Sequence, residues 1–413
     1  MPLGTNGDTP IHPNLRCPVR LALFTDTVSD VNGVSRFIRN IATAAESRGD
    51  AMAVFSSTRL PTPAGRVFRN VAPLFACRMP GYGQLDLTLP PPRQLLRDAR
   101  AWDPSVIHVS TPGPVGIVGR WIARRLSVPL IGTFHTDFAA YVERLFEDEV
   151  LGAMSREFLR WFYSPFDAVL TRSAEYQRTL ASTGIPTGRI RTLRAGTDID
   201  AFHPSHRNRD VWQRMGVVRP GVVVLSCGRV SVEKNLPLLA RAWRAADSTL
   251  RRDGILATFV VVGDGPYLPQ LRADLEGTRS AFLGFRHGAE LASLYASSDL
   301  LAFPSTTDTL GQVVMEAQAS GIPALVSDIG GPQSLIRNGD TGIVVRAQGG
   351  DTARVNAWAG AIASLVRGDA ERRRMGIRAH EHMQLFGFRE SFEQFWELHR
   401  NVARTLVDGI ATT

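Results

Sequence analysis

The chain has 413 residues, 44% hydrophobic and 21% charged, with 47 basic against 39 acidic side chains for a formal net charge of +8. That length exceeds one ordinary core and predicts two domains of roughly 200 residues each. The basic balance favours anionic partners such as phosphates, nucleotides or acidic lipids. Cys17, Cys77 and Cys227 lie too far apart for a disulfide framework or a cysteine metal knuckle, which fits a reducing, cytoplasmic compartment.

The opening residues 1–18 are polar and rich in Pro and Gly, lack the apolar core of a signal peptide, and read as a flexible lead. No apolar run reaches the roughly 18 residues that a membrane span needs. "RLALFTD" (Arg20–Asp26) then predicts a buried strand. "GVSRFIRNIATAAESRG" (Gly33–Gly49) predicts a helix, since Val34, Phe37, Ile38, Ile41 and Ala45 share one face. Ala51–Ser57, Ser105–Thr111, Pro129–His135 and Ala168–Ser173 continue the series of strands. The polar stretch "FHPSHRNRD" (Phe202–Asp210) reads as a linker, after which the pattern restarts. Gly221–Arg229, Ala257–Gly265, Ser280–Phe285, Asp299–Ser305 and Pro323–Asp328 are predicted strands, each followed by a helical pattern.

Continuously apolar strands spaced by helices imply parallel sheets covered on both faces. Two such series predict an α/β chain of two doubly wound domains. Ligands of such sheets sit beyond the carboxyl ends of the strands, so a cleft between the domains is the expected site. The expected boundaries are a lead over 1–18, an N-terminal domain over 19–205 and a C-terminal domain over 206–388. Residues 389–413 close the chain with an amphipathic helix, "SFEQFWELHRNVARTLV" (Ser391–Val407), expected to pack back across the domains.

The stretch "GRVSVEKNL" (Gly228–Leu236) holds the only lysine of the chain, Lys234. Every other basic side chain is arginine. A compact ammonium fits where a planar guanidinium fork does not, although coding bias alone also leaves occasional lysines. Arg229 and Lys234 project from the carboxyl edge of the second sheet, where two cations suit a diphosphate. Downstream, "FPSTTDTLGQVVMEAQASGIPALVSD" (Phe303–Asp328) runs from a strand into a helix opened by Leu310, Gly311 and Gln312. Free N–H groups at a helix start receive phosphate, and glycine permits close approach. Asp308 at its mouth and Glu316 two turns in are placed to meet hydroxyls at the two ends of a sugar nucleotide. Each also has a plain structural reading, Asp308 as a helix N-cap and Glu316 as a surface carboxylate.

Together, "GRVSVEKNL", "VVGDGP", "FLGF" and "STTDTLGQVVMEAQASGIPALVSDIGG" resemble the GT-B glycosyltransferases of family 4. The likeness extends upstream through "TDTVSDVNGVSRFIRNI", "HVSTPGPVG", "GTFHTDFAAY" and "RAGTDIDAFHP", from about Arg20 to Val345. It implies a GT-B fold, two Rossmann-like domains facing a cleft, with the acceptor on the first and the nucleotide sugar on the second. It further implies a retaining hexosyltransferase in which Arg229 and Lys234 bind the donor diphosphate, Glu316 the ribose and Asp308 the donor sugar. The backbone of Leu310, Gly311 and Gln312 is implied to meet the phosphates or sugar, and Gly33 to lie against the diphosphate from the opposite domain. His135 matches the family histidine beside the reacting sugar, and the backbone near Phe285 and Arg286 is implied to meet the base. His135 and Asp308 are therefore the candidate catalytic residues. Two positions depart from the family pattern: Asp308 stands where Glu is usual, and Ser334 stands where a Glu commonly follows "GGP".

The motifs look most like α-mannosyltransferases and glycolipid glycosyltransferases, which implies GDP-mannose as donor and a lipid or glycan acceptor. A UDP-sugar donor, for sulfoquinovosyl, glucosyl or GlcNAc transfer, is the alternative. No metal or other cofactor is expected, because the D-x-D of Asp198 and Asp200 sits in what resembles a structural turn. Basic and aromatic residues mix in "VGRWIARRLS" and "MSREFLRWFYSPF", a composition that suits the anionic inner face of a membrane or, equally, an ordinary half-buried helix. A pyridoxal-phosphate phosphorylase, a sugar-nucleotide epimerase and a nucleic-acid-binding protein fit less well. The first belongs to much longer chains, the second needs acid and base carboxylates in the cleft, and for the third no recognition module is found, so no nucleic acid is expected.

Overall fold

The computed structural model describes residues 19–29, 33–79, 82–135 and 149–410. The expected lead over 1–18 lies outside them. Two parallel sheets organise the chain. The first is built from β1 (Arg20–Phe24), β2 (Ala51–Ser56), β3 (Phe68–Asn70), β6 (Val106–Val109), β7 (Leu130–Thr133), β8 (Ala168–Thr171) and β9 (Ile190–Thr192). Its order is β3-β2-β1-β6-β7-β8-β9. A separate antiparallel hairpin, β4 (Phe75–Met79) with β5 (Tyr82–Leu89), interrupts the crossover from β3 to β6. The second sheet holds β10 (Val222–Cys227), β11 (Ala257–Val262), β12 (Ser280–Gly284), β13 (Leu300–Phe303), β14 (Ala324–Ser327) and β15 (Gly342–Val345), in the order β12-β11-β10-β13-β14-β15.

The period of two along a strand sorts side chains to opposite faces. In β1, Leu21 and Leu23 join Val54 and the helix residues Ile38 and Ile41 on one face. Ala22 and Phe24 join Ala53 and Phe55 on the other. Both faces are covered by helices, which is why these strands read as unbroken apolar runs.

Each sheet reverses its order beside its first strand. In the first, the chain leaves β1 outward to β2 and β3, then returns to β6 on the other flank. The crevice so formed at β1 and β6 is filled by Asp26, whose carboxylate accepts from the Val115 amide at 2.7 Å, the Gly116 amide at 3.4 Å and the Thr111 hydroxyl at 2.7 Å. Asp26 thereby satisfies free amides at the start of the helix Pro114–Leu126. A Cβ on Gly113 would lie 2.4 Å from Asp26 Oδ2, so only glycine fits that approach. In the second sheet the crevice lies between β10 and β13, and there the chain places Lys234 and Asp308.

The stretch 202–210 is not the loose linker that its polarity suggests. Phe202, Val211 and Trp212 are buried in the second domain's core, and Asp299 pairs with Arg209 at 2.7 Å and Arg207 at 3.4 Å. The closing helix, Phe388–Ile410, returns to the first sheet, where Phe392, Phe395 and Trp396 pack with Leu21, Leu23 and Ile38. Fully burying each such ring is worth about 2–3 kcal/mol. The two chain crossings between the domains run side by side: the Thr197 amide donates to Phe386 O at 3.0 Å and the Phe388 amide to Thr197 O at 2.9 Å.

A buried histidine pair joins the closing helix to β6. His399 Nδ1 lies 2.6 Å from Phe395 O, and His399 Nε2 lies 2.9 Å from His108 Nδ1. His108 Nε2 meets the Thr133 hydroxyl at 3.0 Å. A carbonyl only accepts, so His399 carries its proton on Nδ1, accepts from His108 on Nε2, and leaves His108 Nε2 to accept from Thr133. The bond between the rings needs one bare nitrogen facing one N–H, so the two rings cannot both be charged. Burial pushes the His399 pKa from 6.5 down to about 4. His108 is driven well below 6.5, first by burial and then by His399 and His135.

Since both folded values lie below the unfolded one, the unfolded chain binds more protons on acidification. Stability is then full above pH 6.5 and falls as pH drops through 6.5 towards about 4. The loss from His399 is on the order of 3 kcal/mol. Denaturant unfolding at a series of pH values is expected to show this slope, and His399→Gln to flatten it. Parallel slopes for the two proteins would count against the neutral pair.

Candidate active site in the cleft between the two sheets

The loops after β10 and β13 line the crevice of the second sheet. They are laced together by Asn235 Nδ2 to Pro304 O at 3.4 Å and Thr307 Oγ1 to Glu233 O at 3.2 Å. Within this frame Lys234 Nζ donates to both oxygens of Asp308, at 2.8 and 2.9 Å. The two side chains are 24% and 23% exposed, so the pair opens to the cleft without being free in water. Asp308 is thus no helix cap. The cap position belongs to Gly311, at φ +79°, where a Cβ would also press to 2.9 Å from Pro332. Leu310 is buried beneath it, and Gln312 donates from Nε2 to Thr197 Oγ1 at 3.0 Å, at the crossing between the domains. Arg229 is partly exposed just beyond β10. Phe285 is exposed, while Arg286 donates to the Phe285 carbonyl at 3.2 Å and lies 3.5 Å from Glu290.

Glu316 is fully buried, which excludes a surface carboxylate. One oxygen, Oε1, is paired with Arg36 from the helix Gly33–Arg48 of the other domain. Burial drives its pKa up, and the Arg36 charge opposes that rise. Tyr295 stands next to the carboxylate and acts in the same direction as Arg36. Neither the Tyr295 hydroxyl nor Glu316 Oε2 closes a hydrogen bond, however. Glu316 Oε2 and the Tyr295 hydroxyl are thus neighbouring buried polar groups at the floor of the crevice, and a ligand hydroxyl entering there meets both. Arg36 is held over the Phe202 ring at 5.5 Å, and Phe202 meets Tyr295 edge to face at 5.5 Å. Cys227 at the end of β10 completes the group, its thiol pushed up to about 12 by burial.

From the first sheet comes His135, just after β7. Its Nε2 lies 3.0 Å from Ser110 Oγ, and its carbonyl accepts from Thr309 Oγ1 at 2.5 Å, one residue from Asp308. Burial, then the nearby Arg172 charge, lower its pKa to about 3. His135 is accordingly neutral at ordinary pH and acts through hydrogen bonds rather than as a charged acid. Gly33 opens its helix at the same rim. A Cβ there would meet no protein atom within 4 Å, so internal packing does not require the glycine.

The pattern of the family described as Glycosyltransferase Family 4 matches residues 31–201, and that described as Glycosyl transferases group 1 matches residues 221–367. A GDP-mannose-dependent alpha-mannosyltransferase of Mycolicibacterium smegmatis is 32% identical over 372 residues, covering 87% of this chain and 92% of that protein. The chain is a family 4 glycosyltransferase.

The sulfoquinovosyl transferase SQD2 of Arabidopsis thaliana is 28% identical over 80% of this chain and 64% of its own length. In fold, the glycosyltransferase is similar to Anabaena HepE, solved in complex with UDP and glucose. The TM-score is 0.71 at 20% identity, over 92% of this chain and 99% of that one. The two Rossmann-like domains of the GT-B fold are therefore those read from the sequence.

Lys234, Asp308, Leu310, Gly311, Gln312 and Glu316 converge on one crevice of the glycosyltransferase, with His135 facing them across the cleft. The residues that sequence reasoning passed over are Arg36 and Arg172. Asp198 of the D-x-D accepts from the Ala201 amide at 2.9 Å within a turn.

The charged and titratable groups facing Glu316 are Arg36, Tyr295 and Cys227, each from a different element. Removing Arg36 takes away the charge that restrains the rise of the carboxyl pKa. Arg36→Met is expected to raise donor KM more steeply on acidification than in the wild-type enzyme, because the carboxyl pKa then rises further above its ordinary value. In Glu316→Gln that pH dependence should vanish. A uniform KM increase without a change in pH profile would limit Arg36 to packing.

Proposed function

We propose that the protein transfers a hexosyl group, mannose from GDP-mannose in the first instance, to a lipid or glycolipid acceptor, with retention of configuration and no required metal ion. The observation that carries this reading is the convergence of Lys234, Asp308 and Glu316 at the switch point of the second sheet. Lys234 and Arg229 neutralise the donor diphosphate, and Glu316 Oε2 accepts from a ribose hydroxyl. Asp308, shorter by one methylene than the usual Glu, and neutral His135 hold hydroxyls of the transferred sugar. No carboxylate in these motifs is an obvious nucleophile. Front-face substitution is favoured, with the departing phosphate taking the proton of the attacking hydroxyl. Catalysis then rests on positioning and on charge placed where the leaving group develops its own. The second reading, a UDP-sugar donor, draws support from the similar fold solved with UDP and glucose.

The acceptor side is the first domain. There the helix Glu149–Tyr163 buries Leu159, Phe162 and Tyr163 while leaving Val150, Met154 and Trp161 exposed. Arg120 stacks 4.0 Å over Trp161, and Trp121 is exposed on the neighbouring helix. An apolar strip edged by arginines suits the surface of an anionic membrane. No helix among the described residues is long and apolar enough to cross one.

Donor hydrolysis without acceptor, screened over GDP-mannose, UDP-glucose, UDP-galactose and UDP-GlcNAc in the presence of EDTA, tests the donor side. One nucleotide is expected to be released, about 10 to 100-fold more slowly by Lys234→Ala, the value of a charge-assisted hydrogen bond. Release untouched by the mutation would remove Lys234 from the site, and release that depends on added metal would end the metal-free reading. Sedimentation with anionic vesicles at low salt tests the surface: binding should weaken with salt and with Trp161→Ser, whereas a protein left in the supernatant has no such surface.

A further inference from the structure

Arg172, immediately after β8, is only 8% exposed, and its Nη1 is buried without a hydrogen-bond partner. Among the described residues no carboxylate pairs with it. Its guanidinium lies 4.2 Å over the Phe37 ring, and the same ring meets His135 edge to face at 5.5 Å. The next residue, Ser173, caps the helix Ala174–Ser182 by accepting from the Tyr176 amide at 3.4 Å, so the positive end of that helix stands beside the arginine. A buried, unpaired cation is costly to keep. The other buried arginine among the described residues, Arg372, does find acceptors, in Leu365 O, Val366 O and Asp369.

We propose that Arg172 is the receptor for a phosphate group carried by the acceptor, placed beside His135 so that the hydroxyl to be glycosylated faces the donor sugar. The assignment rests on reading the first domain as the acceptor side. The groups matched to the donor diphosphate, Arg229 and Lys234, follow β10 of the second sheet, whereas Arg172 directly follows β8, which pairs with the strand that delivers His135. A planar fork preceding a helix start suits a tetrahedral oxyanion, which takes paired N–H bonds from the guanidinium. Phe37 fixes the plane of the fork, so little freedom is lost when the anion arrives.

The test titrates inorganic phosphate, glycerol 3-phosphate and monomeric dihexanoyl phosphatidylglycerol into the full chain carrying Lys234→Ala, which weakens competition from the donor site. Saturable phosphate binding is expected, reduced about tenfold or more by adding Arg172→Met and partly restored by Arg172→Lys. Preference between the two glycerol compounds tells whether the phosphate belongs to a soluble acceptor or to a lipid headgroup. Thermal unfolding without anion is the second readout. Arg172→Met removes an unpaired buried charge and should leave the midpoint unchanged or raise it, whereas loss of a structural residue lowers it. Phosphate binding that ignores Arg172→Met, no saturable phosphate binding, or a lowered midpoint each overturns the proposal. Donor hydrolysis by the wild-type protein is followed alongside; its failure speaks against the donor reading and leaves the phosphate titration to be judged alone.

Discussion

The buried carboxylate of Glu316 sets the terms for the cleft. An ionised group removed from water needs an opposite charge and filled hydrogen bonds, and the second domain supplies no cation to it. The partner comes from the first domain, on the helix that follows β1. Two halves that share little core are thus coupled through an ion pair that occupies one oxygen of Glu316, with Tyr295 beside the carboxylate. Contacts from Thr309 to the His135 carbonyl and from Gln312 to Thr197 run along the same line. The segment after β13 therefore touches both the opposite wall and the crossing point between the domains.

Around this pair the cleft separates charged from neutral groups by simple means. Arginines keep their charge when buried because their intrinsic pKa is so high. Histidines do not, and His108, His135 and His399 are all driven neutral by burial. Fixed positive charge is consequently carried by Arg36, Arg172, Arg229 and Lys234, while the histidines supply hydrogen bonds whose direction does not change near neutrality.

Much of the architecture was legible because parallel strands buried on both faces leave continuous apolar runs. Strands such as β11, buried at every position, announce themselves, whereas β3 and the β4–β5 hairpin have exposed residues and mixed composition and give no such signal. The polar stretch around residue 205 misled because single aromatics, Phe202 and Trp212, anchor it to a core that composition cannot reveal. In the site, Lys234 stood out by rarity, and Asp308 and Glu316 by their spacing around a glycine-opened helix. Arg36 and Arg172 did not. Among 47 basic side chains nothing local marks two arginines, and what distinguishes them, burial and partner, exists only once distant segments meet.

The lone ammonium has one more implication. A surface covered in guanidinium groups is nearly inert to reagents that acylate amines, so in this chain such a reagent has one side chain to find. That side chain is held in both arms of a carboxylate at the mouth of the second sheet's crevice. Its chemical reactivity is therefore a built-in reporter: a ligand that draws Lys234 away from Asp308, or covers it, changes a labelling rate that no other side chain obscures.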